Sequence, residues 1–275
     1  MAAYIHGTSP REQQRLINQA EQLSALLSAN LVLEPGERLL EIGCGVGAVL
    51  GQIGLAYPDV QLLGIDISPA QIEAAKRHLQ GLGLDQVELV VGDGAALPWP
   101  DDQIDRVRLV WVMEHLSNPI AVLEEAKRVL RPGGTIHLTE TDYASLRVSP
   151  PDPAIEVLLQ AFITHFNHHG DAHAGPRLGP WLEHSGFREA SVEMVGIHHW
   201  CPSQRSSVEG FCRYLLEFIR PELPALRAAA SSSAEAEAIS AGLERFARLA
   251  ERSDAAISMS AYQAHAMKPL QGQPG

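Results

Sequence analysis

The stretch Leu39-Leu40-Glu41-Ile42-Gly43-Cys44-Gly45-Val46-Gly47 decides the fold. An apolar run that ends in alternate glycines is typical of a buried strand entering a turn whose backbone a ligand can approach, because glycine has no Cβ. The next apolar run ends in Asp66, which lies 21 residues beyond Gly45. An acid at this place can accept both hydroxyl hydrogens of a ribose, so the first half of the chain is predicted to bind a nucleoside.

Outward from these two motifs, short apolar runs alternate with amphipathic helical patterns, which is typical of βαβ units and predicts a parallel sheet. The strands are predicted at 38–42, 61–65, 87–91, 105–112 and 135–141. The helices between them are predicted at 46–57, 69–82 and 119–130. An earlier helix is predicted to begin after Ser9, with Pro10 at its first position and Glu12 completing a capping box.

Beyond Thr141 the periodicity changes and the elements become longer. The pattern predicts a helix at 153–169, a loop leading into a short helix at 170–180, a strand at 190–200, mostly helix at 205–252 and a last strand near 257–262. The predicted fold class is therefore a doubly wound, Rossmann-like α/β sandwich. Its mainly parallel seven-stranded sheet has an antiparallel last strand, and an N-terminal helix and a helical C-terminal insertion are added to it.

Composition excludes several classes of protein. The 275 residues include 21 Lys and Arg against 33 Asp and Glu, a net charge of −12, and basic residues form no run that would suit nucleic acid. No apolar stretch reaches the roughly 18 residues of a membrane-spanning helix, and the N-terminus lacks the pattern of a signal peptide. We therefore expect a cytoplasmic protein with neither nucleic acid nor membrane as a partner, and the sequence leaves its oligomeric state open between monomer and homodimer.

A glycine-rich turn with an acid about 20 residues later is also typical of NAD enzymes, so these two motifs leave an oxidoreductase open. Further motifs then follow in order: Val90-Val91-Gly92-Asp93-Gly94, Leu97-Pro98-Trp99-Pro100-Asp101-Asp102, Ile104-Asp105-Arg106-Val107 and Arg131-Pro132-Gly133-Gly134. With these motifs, residues 36–145 resemble the class I S-adenosylmethionine-dependent methyltransferases. The resemblance is to the branch similar to the ubiquinone/menaquinone-biosynthesis and related small-molecule methyltransferases.

The resemblance implies three segments: an N-terminal helical lid at 1–30, an S-adenosylmethionine-binding core at 31–145, and substrate-binding helices with the final strands of the same domain at 146–275. It also implies that Asp66 holds the ribose, that Ile67 lies against the adenine and that Asp93 binds the adenine amino group. The complete set of cofactor-binding residues implied is Tyr4, Glu41, Gly43, Gly45, Asp66, Ile67, Asp93, Gly94 and Trp111.

Two histidine features are candidates for chemistry beyond cofactor binding. His115, directly after the fourth strand, is a candidate catalytic base, and the alternative is a structural imidazole bound to loop backbone. Of 12 histidines, seven fall between His165 and His199. His169, His173 and His199 are predicted as the set that binds a divalent metal, and the alternative is that these histidines have separate partners.

The expected function is methyl transfer to a small metabolite. A metal would favour one alternative, C-methylation of a 2-oxo acid, because chelation of the acid would stabilise its enolate. A non-catalytic nucleoside-binding sensor is a second alternative, since the cofactor motifs alone do not separate binding from turnover.

Overall fold

The structure, a computed structural model, describes residues 9–28 and 31–270. The chain separates into two compact units. The helical unit consists of Thr141–Ala174 and Met194–Ala261. The sheet unit consists of the described residues among Gly7–Glu140, Gly175–Glu193 and Tyr262–Gly275. Each unit is therefore built from stretches that are separated along the chain.

Seven strands belong to one sheet. They are β1 (Arg38–Ile42), β2 (Gln61–Asp66), β3 (Glu88–Val91), β4 (Ile104–Val110), β5 (Leu130–Ser149), β6 (Arg188–Trp200) and β7 (Ala256–Met267). Their order in the sheet is β3-β2-β1-β4-β5-β7-β6. This arrangement confirms the predicted doubly wound, seven-stranded fold.

The helices connect and cover these strands. They are α1 (Pro10–Gln22), α2 (Ser24–Ser28), α3 (Ala48–Ala56), α4 (Pro69–Gly81), α5 (Pro119–Val129), α6 (Pro153–Phe166), α7 (Ala174–His184), α8 (Arg205–Ala228) and α9 (Ser233–Ala247). Short 3₁₀ turns lie at Met113–His115 and Leu249–Glu251. Among the described residues, no helix is long and apolar enough to cross a bilayer.

Side-chain caps fix the starts of the helices that the sequence predicted. The hydroxyl of Ser9 accepts a hydrogen bond from the Glu12 N–H at 3.2 Å, and the amide oxygen of Asn118 accepts one from the Ala121 N–H at 3.3 Å. A proline directly follows each cap, where its fixed φ suits the first turn. The carboxylate of Glu12 pairs with Arg15 on the same helix, at 2.6 Å.

The parallel register brings the predicted site residues to one edge of the sheet. Strands β1 to β5 pair in parallel, and Glu41 on β1 is the cross-strand neighbour of Gly64 on β2 and of Arg108 on β4. The carboxyl ends of parallel strands meet at the same edge, which is where open α/β sheets bind ligands. The turns after β1, β2, β3 and β4 therefore lie side by side.

The last strand in the chain is antiparallel and lies inside the sheet. Beside the start of β5, the N–H of Gly133 donates to the carbonyl of Lys268 at 3.0 Å, and the N–H of Lys268 donates to the carbonyl of Gly134 at 2.9 Å. Such a reciprocal pair of bonds is typical of antiparallel strands. Strand β7 occupies the position between β5 and β6, so β6 lies at one edge of the sheet and β3 at the other.

The structure differs from the predicted elements at two glycine- and proline-rich stretches. Strand β5 begins at Leu130 rather than at 135, because Leu130 pairs with Ile104 before an irregularity in the register, and it continues to Ser149 rather than ending at 141. The stretch predicted as a loop at 170–180 contains the first turns of α7, with Pro180 inside the helix. Pro176 lies in the first turn of α7, where N–H groups have no partner in any case, whereas Pro180 leaves the carbonyl of Pro176 without its helical donor. The prediction overrated the power of proline to break this helix.

Candidate functional site

The turn between β1 and α3 is formed by glycines in a conformation that other residues rarely adopt. Gly43, Gly45 and Gly47 have φ angles of +71°, +51° and +70°. A Cβ on Gly43 would lie 2.5 Å from Cγ2 of Val112. The N–H of Gly43 donates to the carbonyl of Ile65 at 2.8 Å, which fastens the turn to β2. These glycines leave the backbone of the turn bare, which is the feature that the predicted close approach of a ligand requires.

Asp66, at the end of β2, is held between two backbone N–H groups. Its Oδ2 accepts from the N–H of Gly45 at 2.9 Å, and its Oδ1 accepts from the N–H of Ser68 at 2.9 Å. Burial raises the pKa of this carboxyl, and the two hydrogen bonds act in the opposite direction. Each carboxylate oxygen has a second acceptor position, so a fixed Asp66 can still receive two hydroxyl hydrogens.

Helix α1 packs against the glycine-rich turn within the sheet unit. Cδ1 of Leu16 would lie 3.8 Å from a Cβ on Gly45. Arg15 on the same helix is buried and binds both carboxylate oxygens of Glu12, at 2.6 and 2.7 Å. The helix therefore presents a buried polar face beside the turn. Tyr4, predicted to contact the cofactor, lies outside the described residues.

The ends of β2 and β3 provide a polar group and open apolar surface. Oδ1 of Asp93 accepts from the N–H of Ala95 at 2.9 Å. A Cβ on Gly94 would lie 2.8 Å from Cγ2 of Ile42, so glycine fits closely beside the end of β1. Ile67 is 53% exposed, although it directly follows a buried strand. An exposed isoleucine and a nearby carboxylate suit an aromatic base that carries an amino group.

Glu41 is a buried carboxyl group near the end of β1. It is 2% exposed, and burial raises its pKa to about 8, while the charge of Arg108 acts in the opposite direction. Its Oε2 has no hydrogen-bond partner among the described residues. Buried polar atoms are nearly always satisfied, so this oxygen fits a ligand that brings a donor such as an ammonium group. The predicted place of Glu41 beside the methionine part of the cofactor agrees with this chemistry.

Trp111, directly after β4, has a backbone conformation that is strained for a residue with a side chain. Its φ is +51°, and its indole N–H is buried with no hydrogen-bond partner among the described residues. Strain of this kind clusters at ligand sites, where the surrounding structure maintains it. The indole donor and the strained turn are consistent with the predicted role of Trp111 at the cofactor.

Glu140, at the end of the parallel part of β5, fixes the turn that follows Trp111. Its Oε1 accepts from the N–H groups of Val112 and Met113 at 2.8 and 2.7 Å. Burial raises the pKa of Glu140, and the neighbouring charge of Glu114 raises it further. Sequence reasoning missed this residue. The available signal was an acid near the carboxyl end of the strand predicted at 135–141.

His115 lies in the 3₁₀ turn after β4, beside Glu114. Its Nε2 is 3.4 Å from Oε1 of Glu114, and its side chain is 18% exposed. Burial, helped by the positive charge of Arg15, lowers the pKa of His115 to about 4. The imidazole is therefore neutral at physiological pH.

The histidines predicted to bind a metal lie in the helical unit and have separate surroundings. The ring of His169 packs edge-on against His165 at 5.2 Å, and that of His199 packs against Phe211 at 5.9 Å. Nδ1 of His173 is 3.2 Å from Oδ1 of Asp142. Within 9–28 and 31–270, no group of three or more His, Cys, Asp or Glu side chains is arranged to hold a metal ion. His169, His173 and His199 are therefore not assembled into the predicted metal site, because each has a different neighbour.

Comparison with known proteins agrees with the resemblance that the sequence motifs of the sheet unit indicated. Residues 40–138 match the family model described as a methyltransferase domain. The chain is 36% identical to 27-O-demethylrifamycin SV methyltransferase of Amycolatopsis mediterranei, over 48% of this chain and 49% of the relative. It is 33% identical to a demethylmenaquinone methyltransferase of Symbiobacterium thermophilum, over 36% of this chain and 41% of the relative.

A solved structure of a putative methyltransferase from Bacillus halodurans has a TM-score of 0.59 to this chain. The two are 20% identical, and the likeness covers 89% of this chain and 98% of the other, so it concerns the fold. The chain spans less than two thirds of the length of the first curated relatives it matches, from 37% to 61%. Residues 40–138 are thus similar to methyltransferase domains, and they lie within a doubly wound, seven-stranded fold.

Proposed function

We propose that the protein transfers a methyl group from S-adenosylmethionine to a small-molecule metabolite. The observation that carries the proposal is the carboxylate of Asp66, held by the N–H groups of Gly45 and Ser68 at the carboxyl end of β2. A carboxylate fixed in this way is ready to accept from a ribose with little further ordering. Two relatives are named as methyltransferases of demethylrifamycin and demethylmenaquinone, which supports a small molecule as acceptor.

In this proposal, different residues of the sheet unit bind different parts of the cofactor. Asp66 accepts from the ribose hydroxyls, and Asp93 accepts from the adenine amino group. The unsatisfied Oε2 of Glu41 accepts from the ammonium of the methionine part. Ile67 offers its exposed side chain to one face of the adenine. When bound, the cofactor supplies an electrophilic methyl group on its sulfonium.

We assign His115 a positioning role at the turn after β4. Burial leaves its imidazole neutral, but a pKa of about 4 makes it a weak proton acceptor near pH 7. A general base works best when its pKa lies near the working pH. Methyl transfer mainly requires an in-line approach of a nucleophile that is already in the right protonation state, so the chemistry does not depend on a strong base here.

Label transfer tests the proposal directly. Purified protein is incubated with methyl-labelled S-adenosylmethionine and a metabolite extract, and the label is expected in an organic product. Binding of S-adenosylhomocysteine by calorimetry is expected to weaken by about 2 kcal/mol in Asp66→Ala, because two charge-assisted hydrogen bonds are lost. Asp85→Ala, which removes an exposed acid from the turn before β3, serves as the matched control.

Two results would contradict the proposal. Equal affinity of Asp66→Ala and wild type for S-adenosylhomocysteine would remove Asp66 from the site. Tight binding without label transfer to any acceptor would indicate the nucleoside-binding sensor instead.

A further inference from the structure

The helical unit contains a cavity that the cofactor site does not use. Its volume is about 830 Å³, and its lining comes from α6, α8, α9, the 3₁₀ turn at Leu249–Glu251 and neighbouring loop residues, all within the helical unit. This volume is in the range of sites that bind small molecules. The cavity is partly open to solvent, so a ligand could enter without unfolding the unit.

The inner wall of the cavity is apolar. Its accessible apolar surface comes from Pro150 and Leu223, which are half-buried, and from Ala247, which is exposed. Ile155, Leu243 and Leu249 also line the cavity but are almost fully buried. The partly exposed side chains form an apolar floor that a ligand can cover, and the buried ones support it. Such a floor suits a hydrocarbon chain, because it can remove that chain from water without rearrangement of the core.

The rim of the cavity is rich in arginine, in a chain whose net charge is −12. Three rim arginines are already paired: Arg245 with Asp152 at 3.2 Å, Arg248 with Glu251 at 2.9 Å and Arg252 with Asp254 at 3.0 Å. Glu244, also on the rim, adds its charge beside Arg248.

The fourth rim arginine, Arg220, makes no hydrogen bond or ion pair with any residue in the described part of the chain. The acid that is nearly buried at the rim, Asp152, is already occupied, because its Oδ1 also accepts from the N–H groups of Ala154 and Ile155 at the start of α6. Arg220 is therefore the rim cation that is available to an anion.

Two prolines lie in α8 where this helix forms the cavity wall. Pro221 and Pro224 are inside the helix and flank Leu223. Each proline lacks the N–H that would bond to the carbonyl four residues earlier, so the carbonyls of Glu217 and Arg220 lose their helical donors. Interior prolines destabilise a helix, and a local cost of this kind is expected where it serves a site. The wall that carries Arg220 is thus also the part of α8 that lacks two N–H donors.

We propose that this cavity binds an amphiphilic anion, with an apolar chain on the wall of Pro150, Leu223 and Ala247 and a carboxylate or phosphate head on Arg220. The apolar wall and the available guanidinium select for opposite ends of one molecule. A small inorganic anion would leave the wall unused, and a neutral chain would leave Arg220 unused. The site is separate in sequence from the residues assigned to the cofactor.

Calorimetric titration of the full chain with dodecanoate and with dodecyl phosphate, each below its micelle concentration, tests the proposal. We expect saturable binding of at least one probe, and a loss of at least about tenfold in affinity for it in Arg220→Ala, because a charge-assisted pairing is removed. Arg227→Ala is the matched control: it removes another exposed arginine of α8 that does not line the cavity, and it should change affinity less than about twofold.

A second pair of measurements tests the apolar wall. Dodecyltrimethylammonium, which has the same chain and a cationic head, should bind at least about tenfold more weakly than the better anion, and so should inorganic phosphate. Preference for one anionic head identifies the ligand as a carboxylate or a phosphate. Equal binding of the cationic probe, equal affinity in Arg220→Ala and wild type, or no saturable binding of either anion would overturn the proposal. Binding of S-adenosylhomocysteine is measured in the same variants and should not change.

Discussion

Replacing Gly43 with alanine tests whether the turn after β1 requires a bare backbone. Two costs are expected from the structure. The φ of +71° is unfavourable for any residue with a Cβ, and the new Cβ would lie 2.5 Å from Cγ2 and 3.0 Å from Cγ1 of Val112. The N–H of Val112 is held by Glu140, so its backbone cannot withdraw freely.

Gly36 separates the two costs, because it has a φ of +84° and no heavy atom within 4 Å of a Cβ built on it. Gly36→Ala should cost about 1.5 kcal/mol from the left-handed backbone alone. Gly43→Ala should cost about 3 kcal/mol, since overlap with a packed valine adds about as much again. The difference between the two variants measures the overlap.

Urea unfolding of wild type and both variants provides the free energies of unfolding at a common pH. Gly43→Ala should also weaken binding of S-adenosylhomocysteine, whereas Gly36→Ala should not. Equal destabilisation by the two substitutions, together with unchanged cofactor affinity in Gly43→Ala, would refute the idea that the turn is closely packed at Gly43.

Three further outcomes are expected. Burial lowers the pKa of His115 from 6.5 to about 4, so between these values the unfolded chain binds a proton that the folded chain does not. In urea titrations, the wild type should therefore lose about 2 kcal/mol more stability than His115→Gln between pH 7 and pH 5. Glu140→Ala should lower the free energy of unfolding by about 3 kcal/mol, because the N–H groups of Val112 and Met113 lose their acceptor. Glu140→Gln keeps an acceptor oxygen, so in the same assay it should lower the free energy of unfolding by less than about 1 kcal/mol. Gly242→Ala should destabilise the protein by about 3 kcal/mol or more, because its Cβ would lie 2.2 Å from the backbone oxygen of Ala154. Gly210→Ala, in an open part of α8, should instead raise the melting temperature slightly.

The fold could be predicted where its signals are local. The caps at Ser9 and Asn118 and the glycine-rich turn depend on neighbouring residues, and the structure places those elements within a few residues of the prediction. Strand β5 and helix α7 were misjudged at their ends because glycine and proline act differently according to position. Whether Pro180 ends a helix or lies inside one depends on tertiary packing that the pattern does not contain.

The candidate site, like the fold, could be predicted only where its signals are local in the sequence. The spacing of the glycines and Asp66 indicates a nucleoside site because both belong to consecutive turns. Glu140 and Arg15 could not be assigned, since Glu140 acts on a turn 27 residues away in sequence and Arg15 acts from a helix that precedes the sheet. The histidine prediction rested on sequence proximity, which does not determine where side chains on a helix, a loop and a strand point.

The inner position of β7 has a consequence for how the chain is synthesised. Of the seven strands, β7 emerges last from the ribosome, yet it separates β5 from β6. Until residues 256–267 are available, β5 has an open hydrogen-bonding edge and β6 has no partner strand. Exposed edges of this kind promote pairing with other chains. A nascent or C-terminally shortened chain should therefore depend on chaperones, and it should aggregate under conditions in which the finished sheet does not.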